Sequence, residues 1–175
     1  MINKLFTLLL LIWVCLTAGA FYYFSQPKLQ LFDPNSRFQN IMHSDNYVSL
    51  LHKQLALNAR PTVIHVTDSN CSCNVLTQAH IVDLDKQLAA LNFQIHAVDI
   101  KELKSLIPAA PAVLIFSKMR DLLYAGPYSS GYLCNKDNSL VDLALQQANY
   151  AIENNLKLEP FIVSQGQGCF CYPEK

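Results

Sequence analysis

Thr62-Val63-Ile64-His65-Val66-Thr67-Asp68-Ser69-Asn70-Cys71-Ser72-Cys73 is the stretch on which the fold turns. Its first six residues are β-branched apart from His65, and they read as a short buried strand. Asp68-Ser69-Asn70 supplies N-capping residue types. A helix is expected from about Cys73 to Leu91, with Ile81, Leu84, Leu88 and Leu91 as its inner stripe. Cys71 and Cys73 therefore fall where a strand hands over to a helix. Unpaired N–H groups and the helix dipole favour an anion there, which stabilises a thiolate and makes a nucleophile for thiol–disulfide exchange.

Working outward, Phe93 to Ile100 reads as a second strand, and a helical turn is expected around Glu102 to Leu106. Pro111 precedes the apolar strand Ala112-Val113-Leu114-Ile115-Phe116. Ser117 to Arg120 makes a tight turn, and Asp121 to Gly126 a fourth strand. Upstream, Asn46 to Asn58 is an amphipathic helix with Tyr47, Leu50, Leu51, Leu55 and Leu57 on one face. Downstream, Pro127 to Asn138 is a loop carrying Cys134. Ser139-x-x-Asp142 has the form of a capping box and opens a helix to about Leu156. Phe161-Ile162-Val163 is a candidate last strand. Strands on either side of a helical crossover are parallel and right-handed, whereas strands joined by a tight turn are antiparallel. The expected fold is α/β, a three-layer α/β/α arrangement around a mixed four- to five-stranded sheet.

Leu5 to Phe24 holds no charged side chain. Twenty residues at ~1.5 Å rise span ~30 Å, the thickness of a bilayer core. The segment reads as one transmembrane anchor, with the short N-terminus inside and the rest of the chain on the outer, periplasmic side. Ala18-Gly19-Ala20 keeps signal cleavage open as a rival. The expected organisation is an anchor or signal segment over 1–24, a polar linker over 25–44, a folded domain over 45–157 and a cysteine-containing tail over 158–175. The whole chain has 175 residues, zero formal net charge and a pI of about 6.9, with 15% charged residues. No basic stripe stands out, which argues against nucleic-acid binding.

The element order resembles the thioredoxin fold over about residues 45–157. The carriers are the cysteine pair after the first strand of a βαβ unit and the segment Ile107-Pro108-Ala109-Ala110-Pro111-Ala112-Val113-Leu114-Ile115-Phe116. By that resemblance Pro111 is a cis-proline that holds an extended thiol substrate, Cys71 attacks and Cys73 resolves. Gly126 resembles the glycine after the last strand. The match is incomplete. The cysteine pair is C-x-C without a preceding tryptophan, and His65 stands where thioredoxins keep a buried aspartate. The fold therefore transfers better than the activity.

Six cysteines are many for this length. Cys15 lies in the apolar segment. Cys71, Cys73, Cys134, Cys169 and Cys171 follow it, and in an exported domain such thiols pair, bind metal or do redox chemistry. The candidate catalytic residues are Cys71, Cys73 and Pro111, with His65 as a proton relay or, alternatively, a satisfied core histidine. Cys134 bonded to Cys169 or Cys171 would pin the tail. All five thiols gathered would suit Zn²⁺ or Cu⁺. Asp83, Asp85, Glu102 and Asp121 read as solvated charges. The expected function is a membrane-anchored thiol–disulfide oxidoreductase of oxidant or isomerase type, acting on exported thiol or disulfide proteins without a cofactor. A metal-binding module and a non-catalytic interaction domain are the alternatives.

Overall fold

In chain order the elements are helix α1 (Ile2–Ser25), strand β1 (Gln30–Leu31), α2 (Arg37–Met42), α3 (Tyr47–Leu55), β2 (Thr62–Thr67), α4 (Asn74–Ala90), β3 (Gln94–Asp99), α5 (Ile100–Leu103), β4 (Ala112–Phe116), β5 (Leu122–Gly126), α6 (Leu140–Glu153), β6 (Phe161–Ile162) and β7 (Gln167–Gly168). The computed structural model describes residues 2–25, 30–44, 46–131, 138–153 and 159–173. Cys134 lies outside them.

Five strands form one mixed sheet in the order β3-β2-β4-β5-β6. β2 and β3 are parallel, with Thr62 opposite Gln94 and Thr67 opposite Asp99. β4 runs antiparallel to both β2 and β5, and β6 is parallel to β5. Side chains alternate across the pleat. Ile64, Val66, Leu114 and Phe116 face one side and pack with Phe38, Tyr47, Leu51, Ile100 and Leu103 from α2, α3 and α5. Val63, Val113, Ile115 and Tyr124 face the other and meet Leu84 and Leu88 of α4 and Val141 and Ala144 of α6. Helices thus cover both faces of the sheet. Each such side chain, fully buried, contributes roughly 1.5–3 kcal/mol.

Three local expectations change. Residues 30–44 of the stretch expected as a linker are built into the domain, because Phe32 and Phe38 are buried in the core and β1 pairs antiparallel with β7. Leu91 is exposed, while Thr77 and His80 are buried on α4. Asp68 caps a turn rather than the helix. Its carboxylate accepts from Asn70 N–H at 2.9 Å and its carbonyl from Cys71 N–H at 3.0 Å. Cys73 occupies the N-cap position of α4 without a side-chain cap bond. By contrast, Ser139 does cap α6, accepting from Asp142 N–H at 3.0 Å.

Gly126 closes β5 beside Val163, the residue that follows β6. A Cβ there would stand 3.0 Å from Val163 Cβ and 3.1 Å from its carbonyl oxygen. Helix α1 is apolar enough to cross a membrane over Lys4–Phe24, with a mean hydropathy of 2.2 and no part of it buried.

Candidate functional site

Cys71 and Cys73 sit in the turn that joins β2 to α4, and both are buried. Cys71 is bonded to Cys171 and Cys73 to Cys169, with Cα separations of 5.8 and 5.5 Å. The expected bond from Cys134 to Cys169 or Cys171 is therefore replaced: both tail cysteines are taken by the helix-borne pair. The two C-x-C segments have equal spacing and run past each other in opposite directions. Outer cysteine meets outer, and inner meets inner, so two parallel bonds form without a change of register.

The tail reaches that place through its own packing. Phe170 is buried in the core, with its ring centroid 5.2 Å from that of Phe32. Phe32 N–H donates to Gly166 carbonyl at 2.7 Å, and Gly131 N–H donates to Gln167 carbonyl at 2.7 Å. Cys171 then pairs antiparallel with Ala110. Ala110 N–H donates to Cys171 carbonyl at 2.9 Å, and Cys171 N–H donates to Ala110 carbonyl at 2.7 Å. The Ala110–Pro111 peptide is cis. Pro111 thus stands between the backbone pair that seats the tail and the start of β4.

Sulfur atoms crowd at this point. Cys171 Sγ lies 3.9 Å from Cys73 Sγ. The Sγ atoms of Cys71, Cys73 and Cys171 are all within 4.8 Å of one another. Of the larger thiolate set expected for a metal, these three and Cys169 come together.

His65 lies on β2 and is buried, but its ring does not address the sulfurs. Nδ1 is bonded to Tyr128 Oη, and Nε2 lies 2.7 Å from Asp85 Oδ1. Both ring nitrogens are thus engaged, one by a phenol and the other by a carboxylate. The Tyr128 and His65 rings are stacked, 5.9 Å apart, and the His80 ring lies 5.7 Å from that of Tyr128, its Nε2 3.0 Å from Ser139 Oγ. Burial, then the Asp85 charge, push the Tyr128 phenol well above its ordinary pKa. Asp85 is thus a structural partner, not a solvated charge. Its place is legible in hindsight, one residue after Leu84 on the inner face of α4. The role of Ala110 carried no sequence signal, since it acts through backbone atoms alone.

Residues 40–173 match the family described as domain of unknown function DUF6436. The chain belongs to this DUF6436 family. A crystal structure of a hypothetical protein from Sinorhizobium meliloti 1021 is similar at 15% sequence identity and a TM-score of 0.45, covering 69% of this chain and 82% of that one. No curated protein matches the chain. Within the DUF6436 match lie all four bonded cysteines, Ala110 and Pro111.

Proposed function

We propose that this DUF6436 protein is a membrane-anchored thiol–disulfide oxidoreductase of oxidant type, whose oxidised cysteines accept electrons from exported thiol proteins. One observation carries the reading. A cysteine-bearing segment is hydrogen-bonded to the backbone of Ala110, next to cis-Pro111, while its Cys171 sulfur is bonded to Cys71. That is the arrangement of an oxidoreductase caught on a substrate cysteine, with the chain's own tail in the substrate's place. The sheet order supports the thioredoxin-like reading, since β3-β2-β4-β5 has the parallel pair and the antiparallel hairpin that the resemblance implies. Two disulfides at one site fit an oxidising compartment. That favours the domain on the outer side of the membrane, with α1 as its single anchor. The reduced form has two pairs of thiols to return to disulfides, and a partner oxidant would do this.

The test is oxidation of reduced, unfolded ribonuclease by the oxidised full-length protein in detergent. Recovery of ribonuclease activity above the buffer rate is expected, with at least a roughly ten-fold loss on Cys71→Ser/Cys73→Ser. A rate equal to buffer, or one unchanged by Cys71→Ser/Cys73→Ser, overturns the reading.

The sulfur cluster favours a second reading. Three sulfurs within 4.8 Å of each other, and a fourth bonded to one of them, suit a soft metal once reduced to thiolates. Zinc or Cu⁺ titration of the fully reduced chain decides it: one tightly held ion per chain supports the metal reading, and none rejects it.

A further inference from the structure

The four sulfurs differ in what reaches them. Cys71, Cys73 and Cys169 are 6%, 4% and 7% exposed, whereas Cys171 is half-buried. A cavity of about 290 Å³ has Asp33, Arg37, Lys104, Pro108 and Tyr172 in its lining. Tyr172 is the next residue after Cys171. Arg37 and Lys104 are exposed cations that favour an approaching thiolate. The Asp33 carboxylate is turned to the backbone, accepting from Arg37 N–H at 3.0 Å and Gln39 N–H at 2.9 Å. On its inner side Cys171 Sγ is 3.9 Å from Cys73 Sγ. The tail is also held by Phe170 and by the β1–β7 pairing, so the sulfurs stay together when one bond opens.

We propose that Cys171 is the port through which electrons enter both disulfides. The inference rests on the oxidoreductase reading for the identity of the incoming thiol, a dithiol protein. Its first thiolate attacks Cys171 Sγ. The Cys71–Cys171 bond breaks, and its electron pair leaves on Cys71, which takes up a proton. The dithiol's second thiolate then attacks its own sulfur in the mixed disulfide. The dithiol departs as a disulfide, and Cys171 is released as a thiolate. That thiolate attacks Cys73 Sγ, forming Cys73–Cys171 and expelling Cys169, which takes up a proton. A second dithiol repeats the first two steps at Cys171, with Cys73 as the leaving sulfur. In sum, two dithiols become two disulfides, and two protein disulfides become four thiols.

The experiment follows reduction of the full-length chain in detergent by dithiothreitol, with acid quenching, alkylation and peptide mapping. A two-electron-reduced species with a Cys73–Cys171 bond and alkylated Cys71 and Cys169 is expected. In Cys171→Ser, the remaining Cys73–Cys169 bond should open about a hundred-fold more slowly than in the parent, since both its sulfurs are buried. Opening at the parental rate, or a partly reduced parent without Cys73–Cys171, overturns the port. Should Cys171→Ser fail to fold, Cys71→Ser serves without any reductant. Its free Cys171 should divide the single bond between Cys73–Cys169 and Cys73–Cys171, and Cys73–Cys169 alone overturns the port. Loss of ribonuclease oxidation with the expected dithiothreitol pattern rejects the oxidoreductase reading and keeps the port. Normal ribonuclease oxidation with a pattern independent of Cys171 rejects the port alone.

Discussion

Ala110 and Cys171 face each other as an isolated antiparallel backbone pair, 61 residues apart in sequence and joined by two hydrogen bonds of 2.9 and 2.7 Å. The pair fixes the tail strand relative to β4, and with it the sulfur of Cys171 relative to Cys71. Everything distinctive about the site follows from that docking.

The two disulfides are nested, and their contributions to stability are unequal. The first bond to form closes a loop of 100 or 96 residues, worth about 4.7 kcal/mol in chain entropy. The second closes only a small ring between the two C-x-C segments, worth about 2 kcal/mol. Urea unfolding of Cys73→Ala/Cys169→Ala should show a loss near that smaller value. Full reduction of the parent should cost several kcal/mol more.

Phe170→Ala removes the aromatic that seats the tail in the core. A loss of about 3–5 kcal/mol is expected from the lost burial and the cavity left against Phe32. The variant should also form Cys71–Cys171 and Cys73–Cys169 more slowly after reduction, read by timed alkylation. An unchanged unfolding midpoint would mean the tail is held by its disulfides alone.

Gly126→Ala should loosen the end of the sheet. The added methyl would stand 3.0 Å from Tyr124 Oη and Val163 Cβ and 3.1 Å from the Val163 carbonyl oxygen, so the backbone at Val163, just after β6, must shift. A loss of about 1–3 kcal/mol is expected. Hydrogen exchange should accelerate at Val163 N–H, which donates to Ala125 carbonyl at 2.9 Å, while β2 stays protected.

Alkali should unfold the domain through its buried phenols. Burial holds the Tyr47, Tyr124 and Tyr128 hydroxyls above their ordinary value of 10.0. The unfolded chain releases these protons near pH 10 and the folded chain does not, so stability is full below that pH and falls above it. Each phenol contributes a slope of about 1.4 kcal/mol per pH unit. Of the chain's eight tyrosines, these three should ionise only with unfolding, seen as a late step in an absorbance titration.

Tyr128→Phe tests the buried network separately. It deletes the phenol that bonds His65 Nδ1 and leaves a buried ring nitrogen unpaired. A cost of about 1–3 kcal/mol is expected, with ribonuclease oxidation retained, because His65 is directed to Asp85 and Tyr128 rather than to the sulfurs.

Much of the fold was legible in the sequence because it is local. The β-branched run Thr62–Thr67 and the apolar run Ala112–Phe116 mark strands wherever the chain folds, and the order of elements around a crossover leaves few topologies. The charge-free Leu5–Phe24 run marks a membrane-length helix by composition alone. Cys71 and Cys73 were marked as the reactive place by their position before α4. Their partners were not. Equal C-x-C spacing permits several pairings, and only the docking of Phe170 into the core and of Cys171 onto Ala110 brings Cys169 and Cys171 to them. The same holds for residues 30–44. Their polar composition reads as a linker, yet Phe32 and Phe38 are buried once β7 returns to pair with β1. Local pattern determined which residues form strands and helices. Contacts between distant segments, which no local pattern encodes, decided which cysteines meet and what their sulfurs can do.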